Sequence, residues 1–388
     1  MAKSVKALIT PEVLKWAREE YIELEIDYVA KKLGIDSERL QAWENGKEQP
    51  TVPHLKKIAK LYRIHISIFY LPGLPVSFNR PTDYRVLPEH FAIDEEQIYR
   101  LNANIVEAFK RRETLIELYE LLEESPPEVD LNFDRRISQK RAAKTIIEFL
   151  EVNREQLQKT NTPHAALKFW KRIVEAKGIL VCQTNTHLSV ELETVRGFCI
   201  AQRPFPVIVI NSQDSPYGRI FTLVHELVHI ALGESVIQNI GIREMDRSDL
   251  NPIEAFCNRV AAEVLVPEDE LLEVVNLQLL EEDLSKISKH FHVSREVIMR
   301  RLLTLNKISR QKYQTYRKTQ EKKYKASSAK PDGAPPYYNL ILNVSGEYFA
   351  RTAFTAYYED KITISELAAV FSNCDTQHLS EIESVIFA

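Results

Sequence analysis

Glycine is scarce in this chain, with 10 residues in 388, whereas Leu, Glu, Lys and Ala are frequent. Glycine is costly in regular structure and mainly serves sharp turns, whereas the four frequent residues have high helix propensity. The composition therefore favours a mainly helical protein. A length of 388 residues suggests two or three domains, each large enough for a core of its own.

Disulfide chemistry, membrane spans and a strong charge of one sign are also lacking. The four cysteines show no CxxC spacing, and we interpret them as buried thiols: Cys182, Cys199, Cys257 and Cys374. No apolar run approaches the roughly 18 residues of a membrane helix, and the start MAKSVK lacks the apolar core of a signal peptide. We therefore expect a cytoplasmic protein without a membrane partner. The net charge of −4 at pH 7 demands neither nucleic acid nor membrane.

One stretch carries the pattern of a metal site. Residues 219–233, RIFTLVHELVHIALG, read as one helix that ends at Gly233. His225 and His229 are four residues apart and leave the same helical face, where two imidazoles can bind one Zn²⁺. Glu226 lies one step round the helix, placed to hold a water rather than the metal. The other positions are nearly all apolar, which predicts a buried helix whose polar groups need a metal or polar partners.

A catalytic zinc usually needs a third protein ligand. We expect it from a second helix, residues 252–267, which has a proline near its start and another at its end. Glu254 and Asn258 lie one turn apart on one face, which suits a ligand and a residue that orients a ligating histidine. Two alternatives stay open. Glu254 can be a carboxylate that only favours the helix dipole, or Glu263, more than two turns further on, can be the ligand.

The first 72 residues predict five short helices, with apolar residues at helical spacing between turn signals. Gly34 marks a tight turn, and Asp36 or Ser37 can cap the next helix, which is typical of a helix-turn-helix. Leu40 and Trp43 are expected to face the core. Base contacts are expected from the exposed start of that helix: Ser37, Glu38, Arg39, Gln41 and Ala42.

The charge of this first region gives only weak support for DNA binding. Residues 1–75 hold 12 Lys and Arg against 10 Asp and Glu. A surplus of two is small for a module whose affinity comes mainly from phosphate contacts. A helical domain that recognises protein is therefore the alternative to sequence-specific DNA binding.

The central region changes from helical to strand periodicity. Residues 92–176 read as helical, whereas ILVCQ at 179–183, GFCIA at 197–201 and VIVIN at 207–211 predict three strands. A small sheet packed on the two zinc helices makes this domain α+β. We expect a substrate peptide to add a strand at an edge of this sheet, although the pattern does not name the edge.

Residues 284–303 predict a second helix-turn-helix, with its turn at 293–294 and three exposed arginines, Arg295, Arg300 and Arg301. His290 and His292 are expected at the surface rather than as ligands. Residues 300–325 carry ten Lys and Arg against Glu321 alone. Such a helix can be merely solvated, or it can contact DNA or an acidic partner.

Two groups of motifs resemble known families. The run R-x-F-T-L-x-H-E-L-x-H, followed by I-E-x-x-x-N-R-x-A-A-E-x-L-V-P, resembles the ImmA/IrrE zinc metallo-endopeptidases. The resemblance implies that His225, His229 and Glu254 bind zinc and that Glu226 is the catalytic acid and base. Val228 departs from the glycine or alanine that is frequent there, without removing a catalytic group.

The N-terminal region resembles the XRE/Cro-type repressor fold, including the W-E-x-G-x-x-x-P-T run at 43–51. The linker run at 79–85 also matches larger proteins in which an XRE domain precedes the ImmA/IrrE domain. In that family a helical unit like 284–305 packs on the protease, and a helical extension follows it. The resemblance thus covers most of the chain and implies a prokaryotic or phage protein.

Together these patterns predict a mainly α protein with a small sheet, in four regions. They are an all-α helix-turn-helix domain at 1–75, a helical linker region at 76–165, an α+β zincin-like metallopeptidase domain at 166–325 that includes the unit at 284–305, and C-terminal helices at 326–388.

The expected function is a zinc-dependent endopeptidase fused to a DNA-binding domain. The resemblance implies that it cleaves a helix-turn-helix repressor and so derepresses stress or mobile-element genes. One alternative is an XRE-family regulator or antitoxin whose zinc site is structural or sensory, and another is a protein–protein adaptor. The oxyanion-stabilising group is left unassigned, with Tyr217 and Arg219 near in sequence.

Overall fold

The computed structural model describes residues 5–75, 94–233, 236–238, 252–278, 280–326, 336–371 and 374–387. The chain divides into two compact units, Met1–Lys110 with His187–Val190, and Arg111–Thr186 with Glu191–Ala388. The expected fold class, mainly helical with one small sheet, is confirmed. The four sequence-based domain boundaries stay predictions, and the linker run at 79–85 lies outside the described residues. None of the described helices is long and apolar enough to cross a membrane.

The first unit is helical. Its elements are α1 (Pro11–Trp16), which continues into a π-helical turn (Ala17–Tyr21), then α2 (Ile26–Leu33), α3 (Ser37–Glu44), α4 (Val52–Tyr62), a 3-10 turn (Ile66–Tyr70) and α5 (Glu95–Leu121), which belongs to this unit up to Lys110. Gly34 turns the chain between α2 and α3 with φ 70°, a left-handed conformation that glycine adopts without strain. Leu40 and Trp43 are fully buried, as predicted. Asp36 is the N-cap of α3, but its side chain makes no capping hydrogen bond.

A buried ion pair joins α3 to the π-helical turn. The Arg18 guanidinium donates from Nε and Nη2 to the two carboxylate oxygens of Glu44, at 2.8 and 2.9 Å. Its Nη1 donates to the Leu24 carbonyl at 3.1 Å. Both charged side chains are buried, so Glu44 depends on Arg18 for a partner in place of water.

The second unit combines helices with a four-stranded sheet. Before the last strand it contains α6 (Gln139–Leu150), α7 (Arg154–Gln158), α8 (Pro163–Glu175), β1 (Leu180–Gln183), β2 (Gly197–Ile200), β3 (Val207–Ile210) and α9 (Pro216–Ala231). After it follow β4 (Val236–Gln238), α10 (Pro252–Leu265), α11 (Glu268–Val274), α12 (Leu280–His290), α13 (Arg295–Thr304), α14 (Arg310–Ala326), α15 (Tyr337–Ser345), α16 (Glu347–Tyr358), α17 (Ile364–Val370) and α18 (Thr376–Ile386).

The sheet has the strand order β1-β3-β2-β4. β1 pairs with β3 in parallel, whereas β2 pairs antiparallel with both β3 and β4. The first three strands are buried at every position, which explains why their sequences are nearly continuous apolar runs. β4 was not predicted, because three residues are too few to show a strand periodicity.

The second helix-turn-helix-like unit consists of α12 and α13, and α14 packs against α13. Arg301 on α13 was expected to be exposed, and this is wrong. Its side chain is buried, pairs with Glu263 of α10 and donates from Nε to the Val266 carbonyl at 3.2 Å. His292 was expected at the surface, but it is buried, with Nε2 3.4 Å from the Thr160 hydroxyl. Both side chains are polar. They are buried because α12 and α13 pack against other parts of this unit.

The buried pair of Arg18 and Glu44 generates a stability prediction. Arg18→Met leaves a buried carboxylate without its partner, which costs about 3–5 kcal/mol. Amide hydrogen exchange in α3 should therefore accelerate by at least about a hundredfold. Lys32→Met, which removes a more exposed partner of Glu96, should change exchange far less. Replacing both groups, Arg18→Met with Glu44→Leu, should restore most of the protection, and unchanged α3 exchange in Arg18→Met alone would contradict the prediction.

Candidate metal centre

Helix α9 places polar side chains inside the hydrophobic core. The Ser215 hydroxyl accepts a hydrogen bond from the Gly218 amide, and Pro216 occupies the first turn, so the start of the helix is capped. Every residue from Ile220 to Ala231 is buried. Arg219 fixes the first turn, donating from Nε to the Asp214 carbonyl at 2.8 Å and from Nη1 to Gln183 at 3.0 Å.

Helix α10 crosses α9 and also packs against α6. Glu254 in its first turn is 0% exposed, as is His229 opposite it. Asn258, one turn later, is also buried. The expected second helix is therefore present, and its polar face points into the core next to the two histidines.

Three acceptor groups converge at this crossing. His225 Nε2 lies 3.2 Å from His229 Nε2 and 3.2 Å from Glu254 Oε2, and His229 Nε2 lies 3.0 Å from Glu254 Oε1. The three residues form the one cluster of metal-binding type among the described residues. A tetrahedral ion about 2.1 Å from each ligand atom separates those atoms by about 3.4 Å. The observed separations are close to that value.

The unsatisfied polar atoms at the crossing fit a cation. Both carboxylate oxygens of Glu254 are buried, and neither makes a well-aligned hydrogen bond in spite of the short distances to the imidazoles. Such a carboxylate is costly to bury unless a positive charge compensates it. A divalent cation held by His225, His229 and Glu254 would satisfy all three groups at once.

The pKa shifts follow from burial and from the mutual contacts. Burial raises the pKa of Glu254, but the two histidines outweigh it and lower that pKa to about 2. Burial lowers the pKa of both histidines, and Glu254 opposes it in each case. For His225 the carboxylates prevail, so its pKa is raised, whereas for His229 burial prevails and its pKa is lowered. Metal ligation requires an ionised carboxylate and two neutral imidazoles, so a bound cation would displace any proton that His225 holds beside Glu254.

Glu226 lies on the side of α9 that faces strand β2. Burial raises its pKa to about 7, and the thiol of Cys199 on β2 hydrogen-bonds its carboxylate. Its Oε2 is buried without a hydrogen-bond partner among the described residues. A Cβ on Gly197 would overlap the Thr222 methyl and lie 2.9 Å from the Val209 carbonyl. The lack of a side chain at Gly197 thus lets β2 approach the helix turn that bears Glu226.

Two residues of α10 lie beside the histidines. Asn258 is buried, but neither its Nδ2 nor His225 Nδ1 has a hydrogen-bond partner among the described residues, so its orienting role stays a prediction. Cys257 Sγ lies 3.7 Å from His229 Nδ1, a contact that the sequence analysis did not identify. Cys257 follows Glu254 by three residues and therefore lies on the same helical face. This spacing is the sequence feature from which the contact could have been predicted.

Two other candidates, Glu263 and Arg219, have partners outside the three ligands, and no described contact connects Tyr217 to those ligands. Glu263 is occupied by Arg301, so the alternative of Glu263 as third ligand receives no support from the geometry. Arg219 is held by Asp214 and Gln183, and no described contact connects it to the histidines. Tyr217 is half-buried, and burial raises its pKa.

The residues expected to contact DNA occupy the start and outer face of α3. Glu38, Arg39 and Gln41 are exposed, whereas Ser37 and Ala42 are half-buried. The Ser37 hydroxyl is engaged with the Asp27 carboxylate. The Arg39 guanidinium lies over the ring of Trp43, 5.5 Å from its centroid.

The geometry predicts one bound divalent metal per chain. Zinc content by elemental analysis should fall from one equivalent to near zero in His225→Ala, His229→Ala and Glu254→Ala. Glu263→Gln, which changes a glutamate on the same helix but can still accept from Arg301, should keep the full equivalent. A Glu254→Ala variant that is folded by circular dichroism and retains its zinc would contradict the assignment.

Comparison with known families agrees with this arrangement. Residues 174–303 match the IrrE N-terminal-like domain of peptidase family M78, and residues 14–69 match a helix-turn-helix domain. Neither a curated protein nor a solved structure matches the chain significantly. The first match contains α9, α10 and all three converging side chains, and the second contains α2 and α3. The chain therefore joins an XRE-type helix-turn-helix domain to an IrrE N-terminal-like domain of a metallopeptidase family.

Proposed function

We propose that this protein is a zinc-dependent endopeptidase with its own DNA-binding domain. The observation that supports it most is the convergence of His225, His229 and Glu254 within about 3 Å, with Glu226 buried beside them. A structural zinc site is usually closed by four protein ligands, whereas three ligands leave a position for chemistry. Among the described residues no fourth ligand joins these three.

The proposed reaction is hydrolysis of a peptide bond. A zinc ion, when bound, supplies Lewis-acid polarisation of the peptide carbonyl. Glu226 accepts a proton from the attacking water and returns it to the leaving amine. Its unsatisfied Oε2 is the acceptor for that water. Cys257 contacts Nδ1 of His229 and so favours the ring orientation in which Nε2 faces the centre. Asn258, buried on the same helix, is proposed to orient His225.

The substrate peptide is proposed to add a strand to the sheet. The two edges of the sheet are β1 and β4. β1 is flanked by α15, where the Cys182 thiol donates to the Ser345 carbonyl at 3.5 Å. β4 pairs with β2, the strand nearest Glu226, and no described strand pairs with its outer side. The outer edge of β4 is therefore the better candidate for a main-chain contact.

The biological substrate is proposed to be a helix-turn-helix repressor, whose cleavage would derepress stress or mobile-element genes in the cytoplasm of a prokaryote or of a phage-infected cell. The motif resemblance and the fused helix-turn-helix domain support this. A protease that binds DNA near an operator meets the repressor there at a raised local concentration. The fused domain would thus contribute target choice, and the metal centre would contribute cleavage.

The role of Glu226 is tested by Glu226→Gln. Losing a general acid and base slows the reaction by about 10²–10⁴-fold. The full chain with one equivalent of zinc is incubated with candidate repressors, and fragments are quantified by mass spectrometry. Glu226→Gln should retain its zinc and lose cleavage, whereas Glu273→Gln, an exposed glutamate on α11, should cleave as the wild type does.

Equal cleavage by the wild type and Glu226→Gln would refute the mechanism. If no repressor is cut by either protein while operator binding survives removal of the metal, the alternative of a regulator with a sensory metal site replaces the peptidase. That outcome would leave the metal-binding prediction intact.

The DNA-binding proposal is tested with Arg39→Ala. Duplexes that bind the full chain are first selected from a randomised pool, and affinity is then measured by fluorescence anisotropy. Losing one base contact costs about 1–3 kcal/mol, so Arg39→Ala should weaken binding by about fivefold to a hundredfold. Lys144→Ala on α6, an exposed lysine of the second unit, is the control. A pool that yields no enriched sequence would favour the protein-docking alternative.

A further inference from the structure

A cleft distinct from the metal centre lies between α14 on one side and α12 and α13 on the other. It has a volume of about 590 Å³ and is open to solvent on one side. Sites for small molecules have volumes of about 300–1,000 Å³. The size of the cleft is therefore suited to a small organic ligand.

The surface of the cleft is part apolar and part polar. Leu280 and Leu284 of α12 and Met299 of α13 line it and are themselves buried, and Tyr316 of α14 lines the opposite wall. Methionine and aromatic side chains adapt to apolar ligands of differing shape. An apolar ligand body would thus displace water from a surface that water solvates poorly.

The rim of the cleft is cationic. Arg295 of α13 and Lys312 of α14 both line it, and no described carboxylate lines it or pairs with either cation. Arg295 donates to the Ser285 hydroxyl at 3.1 Å, a contact that holds its guanidinium at the cleft. Glu296, the neighbour of Arg295 in sequence, lies 4.0 Å from Arg317 instead. The two cations therefore favour an anionic group at the rim.

The same packing disfavours a DNA duplex as the occupant. In a helix-turn-helix the second helix enters the major groove, and here that helix is α13. Helix α14 packs on α13, with the Arg300 guanidinium over the Tyr313 ring, 5.6 Å from its centroid. Only Arg295 and Thr304 of α13 are exposed, so this helix offers no continuous face to a groove of duplex DNA.

We propose that this cleft binds a small amphipathic anion. Its apolar body contacts Leu284, Met299 and Tyr316, and its acidic group lies between Arg295 and Lys312. This site is separate from the proposed peptidase chemistry, and its occupancy does not depend on a metal at the three ligands.

The test uses anilinonaphthalene sulfonate, an aromatic anion whose fluorescence rises in apolar surroundings, with the full chain. One saturable site per chain is expected. Removing both cations, Arg295→Gln with Lys312→Gln, should weaken binding by about tenfold or more. Thr315→Trp, which places an indole in the cleft from an exposed position of α14, should abolish that site. Lys318→Gln, an exposed lysine of α14 outside the cleft lining, is the matched control and should bind as the wild type does.

A competition experiment separates the charge from the apolar body. Decanoate should displace the dye at concentrations about tenfold lower than decanol, which has the same chain without the charge. Circular dichroism and thermal unfolding establish that each variant is folded. Equal dye affinity in the double variant and in Lys318→Gln, undiminished binding in Thr315→Trp, or equal displacement by decanol and decanoate would each overturn the proposal.

Discussion

The second unit depends on the crossing of α9 and α10, where Glu254 meets two imidazoles away from water. A buried carboxylate and two buried histidines lose their hydration, and the loss is recovered only if they compensate one another or share a cation. Several surrounding contacts hold α9 in position at this crossing. The capped start of α9, the bonds of Arg219 and the close approach of β2 at Gly197 all fix the helix that carries the histidines.

The two glutamates of helix α10 have different partners. Glu254 faces the histidines, whereas Glu263, nine residues later, pairs with Arg301 of α13. The second pair attaches the α12–α13 unit to helix α10 through a buried charge. A sequence can show that both glutamates lie on one helix, but their partners come from helices distant along the chain, so only the fold distinguishes their roles.

The local features of the candidate metal centre were predictable from sequence. The four-residue spacing of His225 and His229 fixes their common face, and the prolines around 252–267 predicted the helix that supplies Glu254. Features that depend on packing between distant segments were not predictable. Cys199 reaches Glu226 only because β2 lies against α9, and Arg301 is buried only because α13 packs near α10. Likewise, β4 exists through its pairing with β2 rather than through a pattern of its own.

The burial of the four central side chains is uneven. His229 and Glu254 are 0% exposed, whereas Glu226 retains 4% and His225 retains 7%. Among the described residues, the small exposed part of the cluster thus belongs to His225 and Glu226. If the proposed ion and the proposed substrate peptide both approach from that side, a bound peptide would shield the ion from a chelator and slow its escape.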